Sequence, residues 1–335
     1  MKRAAVLGFL AALSLGAAAP AGAASWAQPE IRVVVNQHVM GPSVAAFRPQ
    51  DPLTRGALAR AMGTLTGTPR TAADPSRVVH MWELERALVR AAGLLDAAEH
   101  LQDEAVAAGL SPPARFGTEI VARLLSLRYN HPAAADGREL RPADKATRAE
   151  AAYSFAKLLH LSDWSAPYAK SRAEDFDLPE LTVWQRRILA RSVSFVGFPY
   201  VWGGTSERRQ TLFGVTSRGG FDCSGFAWRV YRLESYAGAP QLKNTLRART
   251  ASAMAGEVPR TARVKRPGLR PGDVIFFAER GTRARAAEVT HMGIYVGGGW
   301  FVHSSSQGTT LQTLTGWYSE RFAWARRPLR EAGLS

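Results

Sequence analysis

From Ser25 to about Pro179, apolar residues recur at spacings of three and four, the pattern of helices that each bury one face. The spacing predicts helices over 53–65, 81–102, 116–127 and 146–161. Thr54 and Thr147 stand where N-caps are needed, and Glu150, three residues after Thr147, offers the second half of a capping box. Beyond 181 the period changes. "VWQRRILARSVSF" and "FDCSGFAWRVYRL" each read as one amphipathic helix, the second with Phe226, Val230 and Leu233 on its apolar stripe. "VIFFA", "THMGIYV" and "WFVHSS" then read as short β-strands punctuated by glycine. A helical region followed by helices and consecutive strands implies an all-α N-terminal region ahead of an α+β domain, with the boundary near Pro179 and Glu180.

The alternation in "THMGIYVGGGWFVHSSS" also predicts side-chain placement. His291, Gly293 and Tyr295 fall on one strand face. With Gly297, Gly298 and Gly299 as the turn, Val296 faces Trp300, Tyr295 faces Phe301 and Gly293 faces His303. His303 then shares a face with His291 as a diagonal neighbour, roughly 7–8 Å away at the backbone. A turn one residue shorter or longer would separate the two rings.

Composition narrows the setting. Two basic residues, Lys2 and Arg3, precede a short apolar stretch and then small residues ending at Ala23 and Ala24, the order of an export signal over 1–24. No later apolar run is long enough to cross a bilayer, so no transmembrane segment is expected in the mature protein, which should be secreted, extracellular or cell-wall associated. The 335 residues contain a single cysteine, so no intrachain disulfide can form and folding rests on apolar burial. The length beyond the signal suits two domains, 25–180 and 181–335. A net charge of +15 attracts anionic wall polymers or other polyanions, although the arginines are spread along the chain rather than gathered into the basic tracts of a nucleic-acid binder.

The lone cysteine sits in "GGFDCSGF". Gly219 and Gly220 permit a tight approach, Asp222 can cap the following helix, and Cys223 then lies at the helix N-terminus, where free N–H groups favour negative charge on sulfur. His291 is the candidate base and His303 the residue that orients it. One cysteine and two histidines twelve residues apart do not have a zinc spacing, so neither a metal nor another cofactor is expected. Trp202 reads as an ordinary core aromatic.

"YVWGG", "FDCSGF", "PGDVIFF", "HMGIYVGGG" and "VHSSS", in this order, resemble the NlpC family of papain-like cell-wall cysteine endopeptidases over most of 181–327. The resemblance implies a papain-like fold with helices packed on an antiparallel sheet. It also implies Cys223 as nucleophile, His291 as base, His303 as third polar residue, and Tyr200, Asp222 and Ser224 as groups that meet the peptide. The implied reaction is hydrolysis of an amide in the peptidoglycan stem peptide, commonly between D-glutamate and the diamino acid. Acyl transfer or another amide on the same machinery, and a wall-anchoring protein that no longer turns over, remain alternatives. "PQDPLTRGALARAMGTLTG" and "RPADKATRAEAAYSFAKLLHL" resemble each other and, as a pair, resemble S-layer homology repeats that hold exported proteins to wall polysaccharide. The chain departs from the NlpC pattern in two longer Arg-containing loops, "TSERRQTLFGVTSRGG" and "AERGTRARAAEV", which are expected to border the cleft.

Overall fold

The computed structural model describes residues 25–129 and 139–334; the predicted export signal lies outside the described residues. The first half is helical: α1 (Gln28–Asn36), α2 (Arg55–Thr66), α3 (Met81–Ala91), α4 (Leu95–Ala107), α5 (Phe116–Leu124), α6 (Arg148–Leu159) and α7 (Ser165–Glu174). Thr54 Oγ1 accepts the Ala57 N–H at 3.3 Å and Thr147 Oγ1 accepts that of Glu150 at 3.2 Å, so both predicted caps form. The two similar stretches lie side by side, with Pro52 bridged to Thr147. The single helix expected over 81–102 is two, because Gly93 adopts φ +71° and ends α3 in the left-handed conformation before α4 begins. Helices α4 and α5 cross so closely that a Cβ on Gly117 would stand 1.7 Å from the Ala98 carbonyl oxygen.

Helix α8 (Val183–Val193) starts at a capping box formed by Thr182 and Gln185. It leads to short pairings: β1 (Thr205–Ser206) with β4 (Gly220–Phe221), and β2 (Gln210–Leu212) with β3 (Val215–Ser217). Next come α9 (Cys223–Trp228) and α10 (Ala251–Gly256), then β5 (Val274–Ala278), β6 (Val289–Gly297), β7 (Trp300–Ser305), β8 (Gly308–Thr313), α11 (Gly316–Arg321), β9 (Phe322–Arg326) and α12 (Pro328–Glu331). The five long strands form one antiparallel sheet in the order β8-β7-β6-β5-β9. Helix α9 packs on β6 and β7. The domain is α+β, as the sequence pattern implied.

Two details depart from the sequence reading. Helix α9 runs on as a π-helical turn over Arg229–Leu233. The wider turn carries Leu233 off the apolar stripe to 46% exposure and buries Tyr231 instead. In the β6–β7 hairpin, Tyr295 pairs with Phe301 as expected, but Trp300 pairs with Gly297 because the register shifts between Tyr295 and Gly297. A bulge and a tighter glycine turn thus replace the three-residue loop, and the two changes compensate.

The sheet is covered on both faces. Phe276, Met292, Ile294 and Val302 join a buried apolar cluster continuous with the N-terminal helices. Ile275, Phe277 and Phe301 join a smaller cluster with Leu314 and Phe322. Among the described residues no helix is long and apolar enough to cross a membrane.

Candidate active site

Two of the quoted motifs interlock through their glycines. The Gly203 N–H donates to Asp222 Oδ2 at 2.9 Å, and the Asp222 N–H donates to the Gly204 carbonyl at 3.2 Å. A Cβ on Gly225 would lie 1.9 Å from that same carbonyl oxygen. The turn of "YVWGG" is therefore pressed against the first turn of α9, and only glycine at 225 permits the contact. Asp222 caps α9 by accepting the Gly225 N–H, which fixes Cys223 as the first helical residue.

Cys223 is partly exposed. With Tyr200, Asp222, Ser224 and His291 it lines a cleft of about 460 Å³. His291 lies at the start of β6 and His303 on β7, fully buried. His291 Nε2 and His303 Nδ1 are 2.8 Å apart, so the predicted ring-to-ring contact forms and the Nδ1 edge of His291 is left for the cleft. Phe277, Phe301 and Tyr318 pack around the two rings, Tyr318 lying 5.3 Å from His303 at an interplanar angle of 88°.

The electrostatics differ from the sequence expectation of an acidified thiol. Burial, and then the Asp222 carboxylate, push the Cys223 thiol up to about 11, against the opposing pull of the Ser224 and Met292 backbone N–H groups and of Arg249. Burial pulls His291 down to about 4, and burial with the neighbouring His291 holds His303 well below its usual range. At neutral pH the resting site therefore holds a thiol and two uncharged imidazoles. The helix terminus is there, but desolvation of so short a side chain outweighs it.

Sequence reasoning missed Arg249. Its guanidinium donates to both oxygens of Asp222, at 3.1 and 2.9 Å, and to Ser224 Oγ at 2.8 Å. Ser224 in turn donates to Asp222 Oδ1 at 3.0 Å. Nothing in the local pattern of "LRARTASAM" marks Arg249, because it reaches the site from 27 residues away. Burial, followed by Cys223 and Asp222, raises the Tyr200 phenol above its ordinary range.

The sequence profile of the NlpC/P60 family matches residues 197–327, the segment that contains every one of these side chains. Residues 197–327 are an NlpC/P60 domain. The chain is 33% identical over 129 residues to the gamma-D-glutamyl-L-lysine dipeptidyl-peptidase of Bacillus subtilis (strain 168), covering 38% of this chain and 34% of that one. To the probable peptidoglycan endopeptidase LytE of the same organism it is 30% identical over 142 residues, 42% of this chain and 34% of that one. A crystal structure of an NlpC/P60 family protein from Bacillus cereus ATCC 10987 is 26% identical, with a TM-score of 0.33 and coverage of 46% of this chain and 43% of that one. The chain thus spans about a third of the length of the first two relatives.

In the NlpC/P60 domain the first longer loop folds as the β2–β3 hairpin, with Phe213 at its tip 80% exposed. Its ring rests over Gly203, where a Cβ would stand 3.0 Å from Phe213 Cε2. Trp202 is 69% exposed and lines the cleft, not the core as its residue type suggested. On the other side of His291, Gln307, Gln312 and Trp317 line a second recess of about 440 Å³. His291 lines both, so the cleft continues past the imidazole in two directions.

Proposed function

We propose that this protein is an exported peptidoglycan hydrolase that cuts an amide bond of the stem peptide, with Cys223 as nucleophile. The observation that carries the reading is that a partly exposed thiol and His291 line one cleft, with the buried His303 hydrogen-bonded to His291 Nε2. In this reading His291 Nε2–H donates to His303 Nδ1, which leaves the Nδ1 lone pair of His291 to take the thiol proton. Because both groups rest uncharged, the proton moves as sulfur attacks the carbonyl carbon, not beforehand. The oxyanion forms beside the first amides of α9, where the helix end carries partial positive charge. Collapse returns the proton from His291 to the departing amine and leaves a thioester, which a water activated by the same imidazole hydrolyses. His303 touches no reacting atom and acts as a positioning residue.

Asp222 spends both oxygens on donors of the chain itself, so it supports Ser224 and Arg249. Tyr200, Ser224 and the outer edge of Arg249 are then the groups that meet the peptide. The bond between D-glutamate and the diamino acid is the proposed target, a choice supported by the name of the Bacillus subtilis relative. The helical region 25–180 is proposed as the part that places the catalytic domain on the wall.

Incubation of the purified protein with defined muropeptides, read by mass spectrometry, tests this. We expect a new amino terminus on the diamino acid, abolished by Cys223→Ala with the unfolding midpoint unchanged. Wild-type turnover by Cys223→Ala would refute the assignment.

A further inference from the structure

A second concave surface among the described residues is larger than the active-site cleft. A cavity of about 700 Å³ lies against β9, the edge strand of the sheet, and shares no lining residue with the cleft around Cys223. Four of its cations come from one short stretch, Arg260, Arg263, Lys265 and Arg266, and folding brings Arg283 to join them. Arg266 is anchored, donating to the Leu314 carbonyl at 2.7 Å and to Ser319 Oγ. The other four have no carboxylate within ion-pair distance among the described residues. Their neighbours outside the cavity do: Arg280 and Arg285 pair with Glu288, and Arg321 pairs with Glu279. The four cations thus face the cavity without a carboxylate partner, whereas these flanking arginines are neutralised.

A second observation is independent of charge. Trp324 lines the cavity and is 4% exposed, and Arg263 is stacked on its indole with Cζ 3.6 Å from the ring centroid. Trp324 Nε1 and Arg263 Nε are both buried with no hydrogen-bond partner among the described residues. Buried donors without an acceptor are uncommon, and two on one wall favour an occupant that brings acceptor oxygens.

An occupant must bring several oxygens and more than one negative charge. A lone carboxylate would answer one cation and leave three. Phosphate matches the fork of an arginine bidentately and carries up to two charges. The volume falls in the ~300–1,000 Å³ range of small-ligand clefts, which suits a few units of a chain. Its concavity suits a strand entering from solvent, not the plane of a bilayer. We propose that this cavity is an anion site that takes phosphate groups carried on a soluble polymer chain. The inference is independent of the cleavage reading, since it concerns binding at a separate surface.

Titration calorimetry with inorganic tripolyphosphate at low salt tests it. Binding of one chain per protein is expected, with an affinity that falls steeply as salt rises. Lys265→Gln/Arg283→Gln, two exposed positions whose change cannot unfold the domain, should weaken binding at least tenfold. Arg32→Gln/Arg90→Gln removes the same charge from exposed sites elsewhere and should leave the affinity within twofold. A nitrogen-15 spectrum, with Trp324→Phe to assign the indole, should show the Trp324 N–H signal shift on titration. Equal weakening in both double variants, binding of acetate as tight as that of tripolyphosphate, or association with phosphatidylglycerol vesicles without binding of the soluble chain would each overturn the proposal.

Discussion

At the residue scale the proposed chemistry rests on a sulfur atom and two imidazoles, and their resting charge is the property that distinguishes this site from a preformed ion pair. The thiol is pushed up to about 11 and His291 is pulled down to about 4, so the proton sits on sulfur across the whole neutral range. In a thiolate–imidazolium pair the sulfur would already be ionised at mildly acidic pH, and its reactivity would level off there. Here the thiolate fraction of the free protein grows tenfold per pH unit until the pH approaches 11. Alkylation of Cys223 by iodoacetamide, followed by mass, should keep accelerating above pH 9. A plateau below pH 7 would show that the resting site is an ion pair. In His303→Ala the sulfur should remain modifiable with the same upward profile, while kcat falls at least a hundredfold, because His291 keeps its lone pair but loses the contact at Nε2 that aims it.

Elements, next, place these groups by close backbone contact, and glycine is where that contact is visible. Gly293 lies within β6 and faces β7 beside His303: an added Cβ would lie 2.7 Å from Phe301 Cδ2, 2.8 Å from the Val302 carbonyl oxygen and 3.2 Å from His303 Cβ. The carbonyl is backbone in a paired strand and cannot yield as a side chain does. Gly293→Ala should cost about 1–3 kcal/mol of stability, the usual range for overpacking, measured by urea unfolding. Because the clash falls at the hairpin that carries His291 and His303, turnover measured well below the unfolding midpoint should fall by more than tenfold. Unchanged kcat in a destabilised Gly293→Ala would mean that the histidine pair tolerates a wider strand spacing. The histidine pairing was legible in the sequence because strand alternation is a strict period and the bulge after Tyr295 compensates the shorter turn. The outward turn of Leu233 was not legible, since a π-helical turn leaves no compositional mark. Nor was the exposure of Trp202, an aromatic next to two glycines that reads as core unless the cleft is known to run beside it. Arg249 escaped for the opposite reason: its partners are remote in sequence, and only the fold brings them within reach.

Across the whole molecule, the helical region and the NlpC/P60 domain are joined by more than a linker. Their apolar residues form one connected buried cluster, and a charge network lies at the seam. Arg123 on α5 is 2% exposed and donates to Glu119 at 2.7 Å, to Glu139 at 2.9 Å and to the Gln307 carbonyl in the β7–β8 turn. Arg128 is buried beside it, paired with Glu85 at 3.0 Å and Glu139 at 3.1 Å. Burial works to raise Glu119, but Arg123 and Arg128 outweigh it and hold the carboxyl at about 2. Burial and the adjacent Glu119 push Glu85 well up, against the pull of Arg128. Removing one cation from such a network leaves uncompensated buried carboxylates, which costs about 3–5 kcal/mol where such pairs have been broken. Arg123→Met keeps the bulk of the stem and deletes that charge together with the bond to Gln307. With a shared core, urea should unfold both the wild type and Arg123→Met in a single transition, the variant at lower denaturant by that amount, when far-ultraviolet dichroism and tryptophan fluorescence are followed together. Gln307 also lines the recess beyond His291, so the variant should raise KM for muropeptides even where it is fully folded. If the helical region instead melts first and the NlpC/P60 domain unfolds at its wild-type denaturant concentration, the network is a clasp between two independent folding units, and the shared core contributes nothing to their coupling.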